Sequence, residues 1–271
     1  MNIAIQGIKG AYHHIVAENY FGNNITINEC LTFDEMPKKL LSKKSDYLVM
    51  AIENSIAGSI LANYKLIDEF NLKIIGEQYL TIAHQLMALP NQKISEITEI
   101  RSHPMAINQC RDFLRKYPHI KVIEDQDTAV TAKNIRNKKL KGIAAIASVK
   151  AAELYNLEII AKNIQSVSNN FTRFFILNQN IKNKEYNKAS LKFITKHQKG
   201  SLAEVLQIFV KNDINLSKIQ SLPIAEQPWK YAFFTDILFT EKKQLENSIT
   251  QLKKVVENIK VLGKYHNNNT L

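Results

Sequence analysis

The chain has 271 residues, 45% of them hydrophobic and 23% charged, with a net charge of +11. That is enough apolar material for one large core or two moderate ones, and too balanced a composition for wholesale disorder. No run approaches about 18 consecutive apolar residues, so no membrane span is expected, and Cys30 and Cys110 lack metal-ligand spacing and read as reduced core thiols.

Short apolar runs alternate with amphipathic stretches through the first 180 residues. Strands are predicted at residues 2–6, 25–31, 47–52, 72–76, 99–101, 120–124, 142–146 and 157–161, and helices at 11–21, 33–42, 104–116 and 128–138. Over 104–116 the proline suits a first helical turn, and Ile107, Cys110, Phe113 and Leu114 recur at helical spacing. A further buried strand is expected where Ser168-Asn169-Asn170-Phe171-Thr172-Arg173 meets the apolar run Phe174-Phe175-Ile176-Leu177. Alternating strands and helices predict α/β layers with mostly parallel sheets, whose ligand sites lie in loops at the carboxyl ends of strands. Glu53-Asn54-Ser55 and Ser102-His103 fall at such ends.

Residues 178–188 are polar and without period, and read as a linker. Beyond it come a strand at 189–195, a helix at 201–211, strands at 215–222 and 229–239, a helix at 242–258 and a strand at 260–262. Leu202, Val205, Leu206, Phe209 and Val210 make a one-sided apolar stripe on the first of these helices. The order βαββαβ is the ferredoxin-like pattern. Residues 266–271 read as a frayed tail.

Several side chains are suited to chemistry. The planar fork of Arg173 matches a carboxylate, and the adjacent Thr172 hydroxyl can bond a second group of the same ligand. Glu53 and His103 are the titratable candidates for supplying a proton. Asn54, Ser55, Ser102 and Asn170 offer short polar arms, and Gln109 follows His103 by about a turn and a half of helix. Each also has an ordinary reading: an ion pair for Arg173, a helix N-terminal carboxylate for Glu53, a capping residue for His103, and turns or caps for Asn and Ser. The lysines are scattered and no nucleic-acid-binding signature accompanies them, so the positive charge is read as a solubility bias that favours anionic ligands, not as a nucleic-acid surface. The chain opens in a strand-like segment without a secretory pattern, and a cytoplasmic location is expected.

Asn169-Asn170-Phe171-Thr172-Arg173-Phe174 resembles the signature that closes the catalytic domain of prephenate dehydratases. Ile52-Glu53-Asn54-Ser55-Ile56-Ala57-Gly58-Ser59, Ser102-His103-Pro104 and Ala144-Ala145-Ile146-Ala147-Ser148 resemble other family segments in the family's order. A later stretch, from Gly200-Ser201-Leu202 to Trp229-Lys230-Tyr231, is similar to the regulatory ACT domain of these enzymes. The resemblance implies a two-lobed, periplasmic-binding-protein-like α/β catalytic domain over 1–180 and a ferredoxin-like ACT domain over 188–265. It implies conversion of prephenate to phenylpyruvate, carbon dioxide and water without cofactor or metal, in a homodimer or homotetramer regulated by phenylalanine. Arg173 would clamp a substrate carboxylate and Thr172 would lie at the leaving hydroxyl, with Glu53, His103, Asn54, Ser55, Ser102, Asn170 and Gln109 around them. Gly200, Ser201, Leu202, Ala203, Asn215, Gln220, Ser221, Leu222 and Pro223 would hold phenylalanine. No fused chorismate mutase segment is expected.

The chain departs from the family in places. Gly10-Ala11-Tyr12 stands for the common Gly-Thr-Phe, so a pocket hydroxyl is missing unless Tyr12 or His13 replaces it. Ala51 replaces a proline, Met105 a glutamine, and Gln220-Ser221-Leu222-Pro223 the usual Glu-Ser-Arg-Pro. Arogenate as substrate, a non-catalytic amino-acid sensor, and a ligand-free oligomerisation role for the second half are the competing readings.

Overall fold

A computed structural model describes residues 1–180, 185–224, 227 and 229–268. The chain forms two compact units, the first from Met1–Ser59 and Tyr79–Phe174, the second from Ile60–Gln78 and Phe175–Leu271. Among the described residues no helix is long and apolar enough to cross a membrane. Parts of the predicted linker, residues 181–184, and of the predicted tail, residues 269–271, lie outside the described residues.

In chain order the elements begin with β1 (Asn2–Gln6), α1 (Tyr12–Phe21), β2 (Thr26–Cys30), α2 (Glu35–Leu41), β3 (Tyr47–Asn54) and β4 (Gly58–Ser59). After α3 (Leu61–Glu69) and β5 (Lys73–Thr81) come β6 (Gln85–Ala88), β7 (Glu99–Ser102), α4 (Pro104–Gln109), α5 (Arg111–Leu114) and β8 (Lys121–Glu124). Then follow α6 (Thr128–Lys138), β9 (Ile143–Ala147), α7 (Val149–Leu154), β10 (Glu158–Ala161) and β11 (Phe171–Asn178).

The first unit is built on two sheets. In one, β1 runs parallel to both β2 and β3, with Ile3 opposite Ile27 and Tyr47, and β11 borders β3. The other has the order β10-β6-β9-β7-β8. Its β7 is parallel to β8 and β9, whereas β6 is antiparallel to β9 and β10. The sheets are thus mixed, not mostly parallel. The antiparallel element is β6, which the sequence does not announce: four residues, polar at their start, followed closely by Pro90. Strand β9 explains its own uninterrupted apolar run. Ala145 and Ala147 enter one core with Met87, Ala129, Ile135 and Ala151, while Ala144 and Ile146 enter another with Leu86, Ile100, Ala106 and Cys110. A strand buried on both faces has no polar alternation to show.

The helix predicted over 104–116 is two helices broken at Cys110, whose φ is −107° and ψ 15°. Ser166 is the reason. Its amide donates to the Gln109 carbonyl at 2.7 Å and its hydroxyl accepts from the Asp112 amide at 3.2 Å, taking two groups that a continuous helix would use.

The second unit continues with β12 (Lys188–Thr195), α8 (Ser201–Lys211), β13 (Asn215–Pro223), β14 (Tyr231–Leu238), α9 (Lys242–Val255) and β15 (Val256–Tyr265). The predicted βαββαβ order is present, and neighbours in the series β13-β14-β12-β15 pair antiparallel. One face of β12 sends Ala189, Leu191 and Phe193 into a core with Val205, Phe209, Leu245 and Leu252. The other face carries Lys188, Ser190 and Lys192, bonded to Glu77, Asp236 and Asp68 respectively. The last strand is much longer than the predicted 260–262, and α9 is correspondingly shorter. At its far end β15 meets β5 so closely that a Cβ on Gly263 would lie 2.2 Å from the Ile74 carbonyl oxygen, so only glycine fits.

Candidate active site

The site grows from the junction of β3 and β11. The Ser55 amide donates to the Phe171 carbonyl at 2.8 Å, and the Phe171 amide donates back to the Ser55 hydroxyl at 3.0 Å. This register sets Asn54 beside Thr172 and Glu53 beside Arg173. Because strand side chains alternate, the two pairs point to opposite faces. Beyond Asn54 the chain turns tightly into β4, and Gly58 at φ 82° takes a backbone conformation that other residues resist. Nothing lies within 4 Å of a Cβ built there, so its role is the turn and not a close approach.

On one face Asn54, Asn170 and Thr172 are buried. Asn54 Nδ2 donates to Asn170 Oδ1 at 2.7 Å and to Thr172 Oγ1 at 3.0 Å, while Asn54 Oδ1 accepts from the amides of Ile56 and Ala57 at 3.0 and 2.9 Å. Asn170 Nδ2 donates to Gln109 Oε1 at 3.0 Å, and the Asn170 carbonyl accepts from the Ile82 amide at 2.7 Å. Gln109 Oε1 also meets His84 Nε2 at 2.8 Å, and His84 Nδ1 meets the Tyr12 hydroxyl at 2.9 Å. Burial pushes the His84 imidazole below its usual pKa against the opposing pull of the Gln109 bond, so the ring is neutral near pH 7. Gln109 also lines a cavity of about 350 Å³ with Ile56, Ala57, Asn108, Gln165 and Ser166.

On the other face the Arg173 guanidinium, 5% exposed, lies 3.9 Å from the Glu53 carboxylate and 5.8 Å from the centre of the Tyr79 ring. Arg173 is therefore engaged by protein groups on the side away from Thr172.

Other expected residues stand outside this hydrogen-bonded set. The Ser102 hydroxyl is wholly buried and donates to the Ile146 carbonyl at 2.6 Å. His103 is exposed and caps α4, its Nδ1 accepting from the Met105 amide at 3.2 Å. Near it Asp127 caps α6, and burial raises its carboxyl above the usual range. Beside Ala11, the Tyr12 hydroxyl joins the network through His84. His13 does not: its Nε2 accepts from the Ala51 amide at 3.3 Å, its ring packs on Phe174, and burial lowers its pKa to about 3.

In the second unit Gly200 caps α8, with Ser201, Leu202 and Ala203 in the first turn. Leu222 pairs with Ala232, which pairs in turn with Ile194, so the 220–223 segment and the chain leading to Gly200 share one end of the sheet. Asn215 pairs with Leu238 at the opposite end of β13, about 26 Å away at the usual strand rise. There it borders a hollow of about 530 Å³ together with Asp213, Ile214, Leu238 and Phe239.

His84 is absent from the sequence-derived candidates. The available signal was a His-Gln pair opening an apolar run, Ala83-His84-Gln85-Leu86-Met87, which is more often a satisfied core histidine than a functional one.

The prephenate dehydratase family matches residues 3–182. The chain is 35% identical over 271 residues to the bifunctional chorismate mutase/prephenate dehydratase of Buchnera aphidicola subsp. Acyrthosiphon pisum, covering 97% of this chain and 70% of that protein. Among solved structures, GqqA, described as a novel type of quorum quenching acylase, superposes with a TM-score of 0.88 at 26% identity, covering 98% of this chain and 97% of that one. Prephenate dehydratase from Arthrobacter aurescens in complex with L-Phe superposes with a TM-score of 0.88 at 22% identity, covering 100% of this chain and 91% of that one.

Proposed function

The chain belongs to the prephenate dehydratase family, and from that premise we propose how its site carries the reaction. The protein converts prephenate to phenylpyruvate, carbon dioxide and water. The bond from the ring to its carboxylate breaks, and that electron pair enters the forming aromatic ring as the opposite ring C–O bond breaks. The departing hydroxide takes a proton and leaves as water. Aromatisation supplies the driving force, so orientation and stabilisation of the departing oxygen are what the protein must add. Proteins named for different chemistry share this fold, so the reaction is argued from the family and the site.

The observation that carries the assignment is the bond from Asn54 to Thr172. An oxygen that already accepts from Asn54 keeps its own hydrogen for another acceptor, and we assign that acceptor as the leaving hydroxyl. Gln109, on the cavity wall, offers amide hydrogens to a substrate oxygen. The opposite-face placement favours Arg173 as the partner that holds Glu53 and β11 in register over Arg173 as a direct carboxylate clamp. The same placement sets Glu53 on the Arg173 face, and His103 stands outside the hydrogen-bonded set, so both are disfavoured as the proton source relative to water at the Thr172 side; pH–rate profiles of Glu53→Gln and His103→Gln test this.

The two sheets of the first unit serve as lobes around the substrate. Residues 188–265 serve as the ACT-type regulatory module of a cytoplasmic homo-oligomer. Phenylalanine is the effector; the L-Phe complex of the Arthrobacter aurescens protein supports this. The segments 200–203 and 220–223 form one candidate contact region, and the hollow at Asn215, with a carboxylate and apolar walls, forms another. The test is phenylpyruvate formation from prephenate by the purified protein and by Thr172→Ala. Wild-type activity with a loss of about 10²–10³-fold in a folded variant is expected. A wild type inactive on both prephenate and arogenate would favour a non-catalytic sensor.

A further inference from the structure

We propose that His84, backed by Tyr12, is a positioning residue for the dehydration: by donating to Gln109 Oε1 beside Asn170, it holds the Gln109 amide with its nitrogen toward the substrate side. The inference rests on the prephenate dehydratase reading above, and deepens it.

The argument starts from groups that cannot be turned around. Backbone amides only donate, so the bonds from Ile56 and Ala57 fix the oxygen of Asn54 on their side and its Nδ2 on the other. The Asn170 atom 2.7 Å from that Nδ2 must then be its oxygen, which aims Asn170 Nδ2 at Gln109. The Gln109 atom receiving it at 3.0 Å must be Oε1. The same Oε1 lies 2.8 Å from His84 Nε2, so Nε2 must carry a hydrogen. A neutral imidazole has one N–H, which leaves Nδ1 as an acceptor. Tyr12 supplies the matching donor at 2.9 Å, with the Ala83 carbonyl at 3.1 Å as the alternative acceptor for its hydrogen. Two runs of donors therefore converge on Gln109 Oε1, one from the turn after β3 through Asn54 and Asn170, the other from Tyr12 through His84.

The consequence lies at the substrate end. With Oε1 held by two donors, Gln109 presents Nε2 to its cavity, and among the described residues no side-chain or backbone acceptor takes it. Likewise no described group accepts the Thr172 hydroxyl hydrogen. If His84 carried its proton on Nδ1, the Nε2 lone pair would face Oε1. Gln109 could relieve that only by turning its nitrogen onto the Asn170 N–H. The tautomer thus decides whether the cavity meets an amide donor or a carbonyl.

His84→Met keeps bulk but removes both ring nitrogens, whereas His84→Gln restores an N–H near the Nε2 position. His84→Met is expected to lower kcat for phenylpyruvate roughly 10- to 100-fold, the scale of a sub-ångström to 1 Å misplacement. His84→Gln is expected to recover most of it at the same Tm. Wild-type kcat in His84→Met, or losses in both variants that merely track the fraction folded, would overturn the proposal. If neither variant folds, the ¹⁵N imidazole spectrum of the wild-type protein decides: a hydrogen on Nε2 sustains the assignment and one on Nδ1 sinks it. Wild-type turnover of prephenate is measured alongside. Its absence would remove the underlying reading, while the spectrum still reports the bond polarity separately.

Discussion

Asn54→Asp exchanges one amide nitrogen for oxygen and leaves the shape of the side chain intact. Its effect can be worked bond by bond. The oxygen that accepts from Ile56 and Ala57 is unchanged. On the other side an oxygen now faces three acceptors: Asn170 Oδ1 at 2.7 Å, Thr172 Oγ1 at 3.0 Å and the Phe171 carbonyl at 3.1 Å. Thr172 escapes by turning its hydrogen onto the new carboxylate, and Asn170 by flipping its amide. The Phe171 carbonyl cannot turn; it keeps its bond from the Ser55 amide at 2.8 Å but now faces the introduced oxygen at 3.1 Å with no hydrogen between them, and a buried polar atom left without its bond costs about 1–3 kcal/mol. A loss of roughly 2 kcal/mol lowers Tm by about 4–8 °C in a unit of this size. The catalytic cost is larger. The hydrogen assigned to the leaving hydroxyl is spent inside the protein, and losing one oriented donor reduces kcat about 10²–10³-fold.

The variant also has a pH signature. Burial and the facing oxygens raise the folded-state pKa of the introduced carboxyl above its unfolded value. The penalty is therefore absent at low pH, where the acid donates as the amide did, and grows as pH rises through the folded pKa. Thermal melts and phenylpyruvate kinetics between pH 5 and pH 8 give the test. A kcat at pH 8 within threefold of wild type, or a deficit independent of pH, would refute the assigned bond polarity.

Arg173→Lys removes the fork between Glu53 and the Tyr79 ring, and is expected to lower Tm while raising KM less than tenfold; a large rise in KM at unchanged Tm would place a substrate carboxylate on Arg173 instead. Calorimetry of the full chain is expected to show phenylalanine binding, and saturating phenylalanine to weaken substrate binding by a coupling of about 1–3 kcal/mol; no heat of binding would leave the second half as an oligomerisation module. Lys188→Met strands the Glu77 carboxylate, which is wholly buried and 2.9 Å from the Lys188 ammonium. Urea unfolding should show a loss of about 3–5 kcal/mol, and a loss below about 1 kcal/mol would mean that water or the 266–268 segment compensates.

Local chemistry was sufficient for much of this protein. Short apolar runs and helical periodicity place β1, β2, α6 and α8 to within a residue: β1 is an apolar run buried through its middle, α8 buries a stripe, and α6 starts at a plain cap, Asp127. The Asn54 and Thr172 segments were legible as candidates through their resemblance to family motifs, since short polar side chains at strand ends serve equally as turns and caps. What needed the tertiary structure is of another kind. The break at Cys110 depends on Ser166, far along the chain, and the strand β6 is held by neighbours on both sides, not by its own pattern. The split of Thr172 and Arg173 onto opposite faces follows from a register that only the pairing of Ser55 with Phe171 establishes. The role of His84 rests on bonds to Gln109 and Tyr12, separated from it by 25 and 72 positions. Sequence periodicity reports which face of an element is apolar; which distant polar atoms meet, and in which donor polarity, is set by packing between elements.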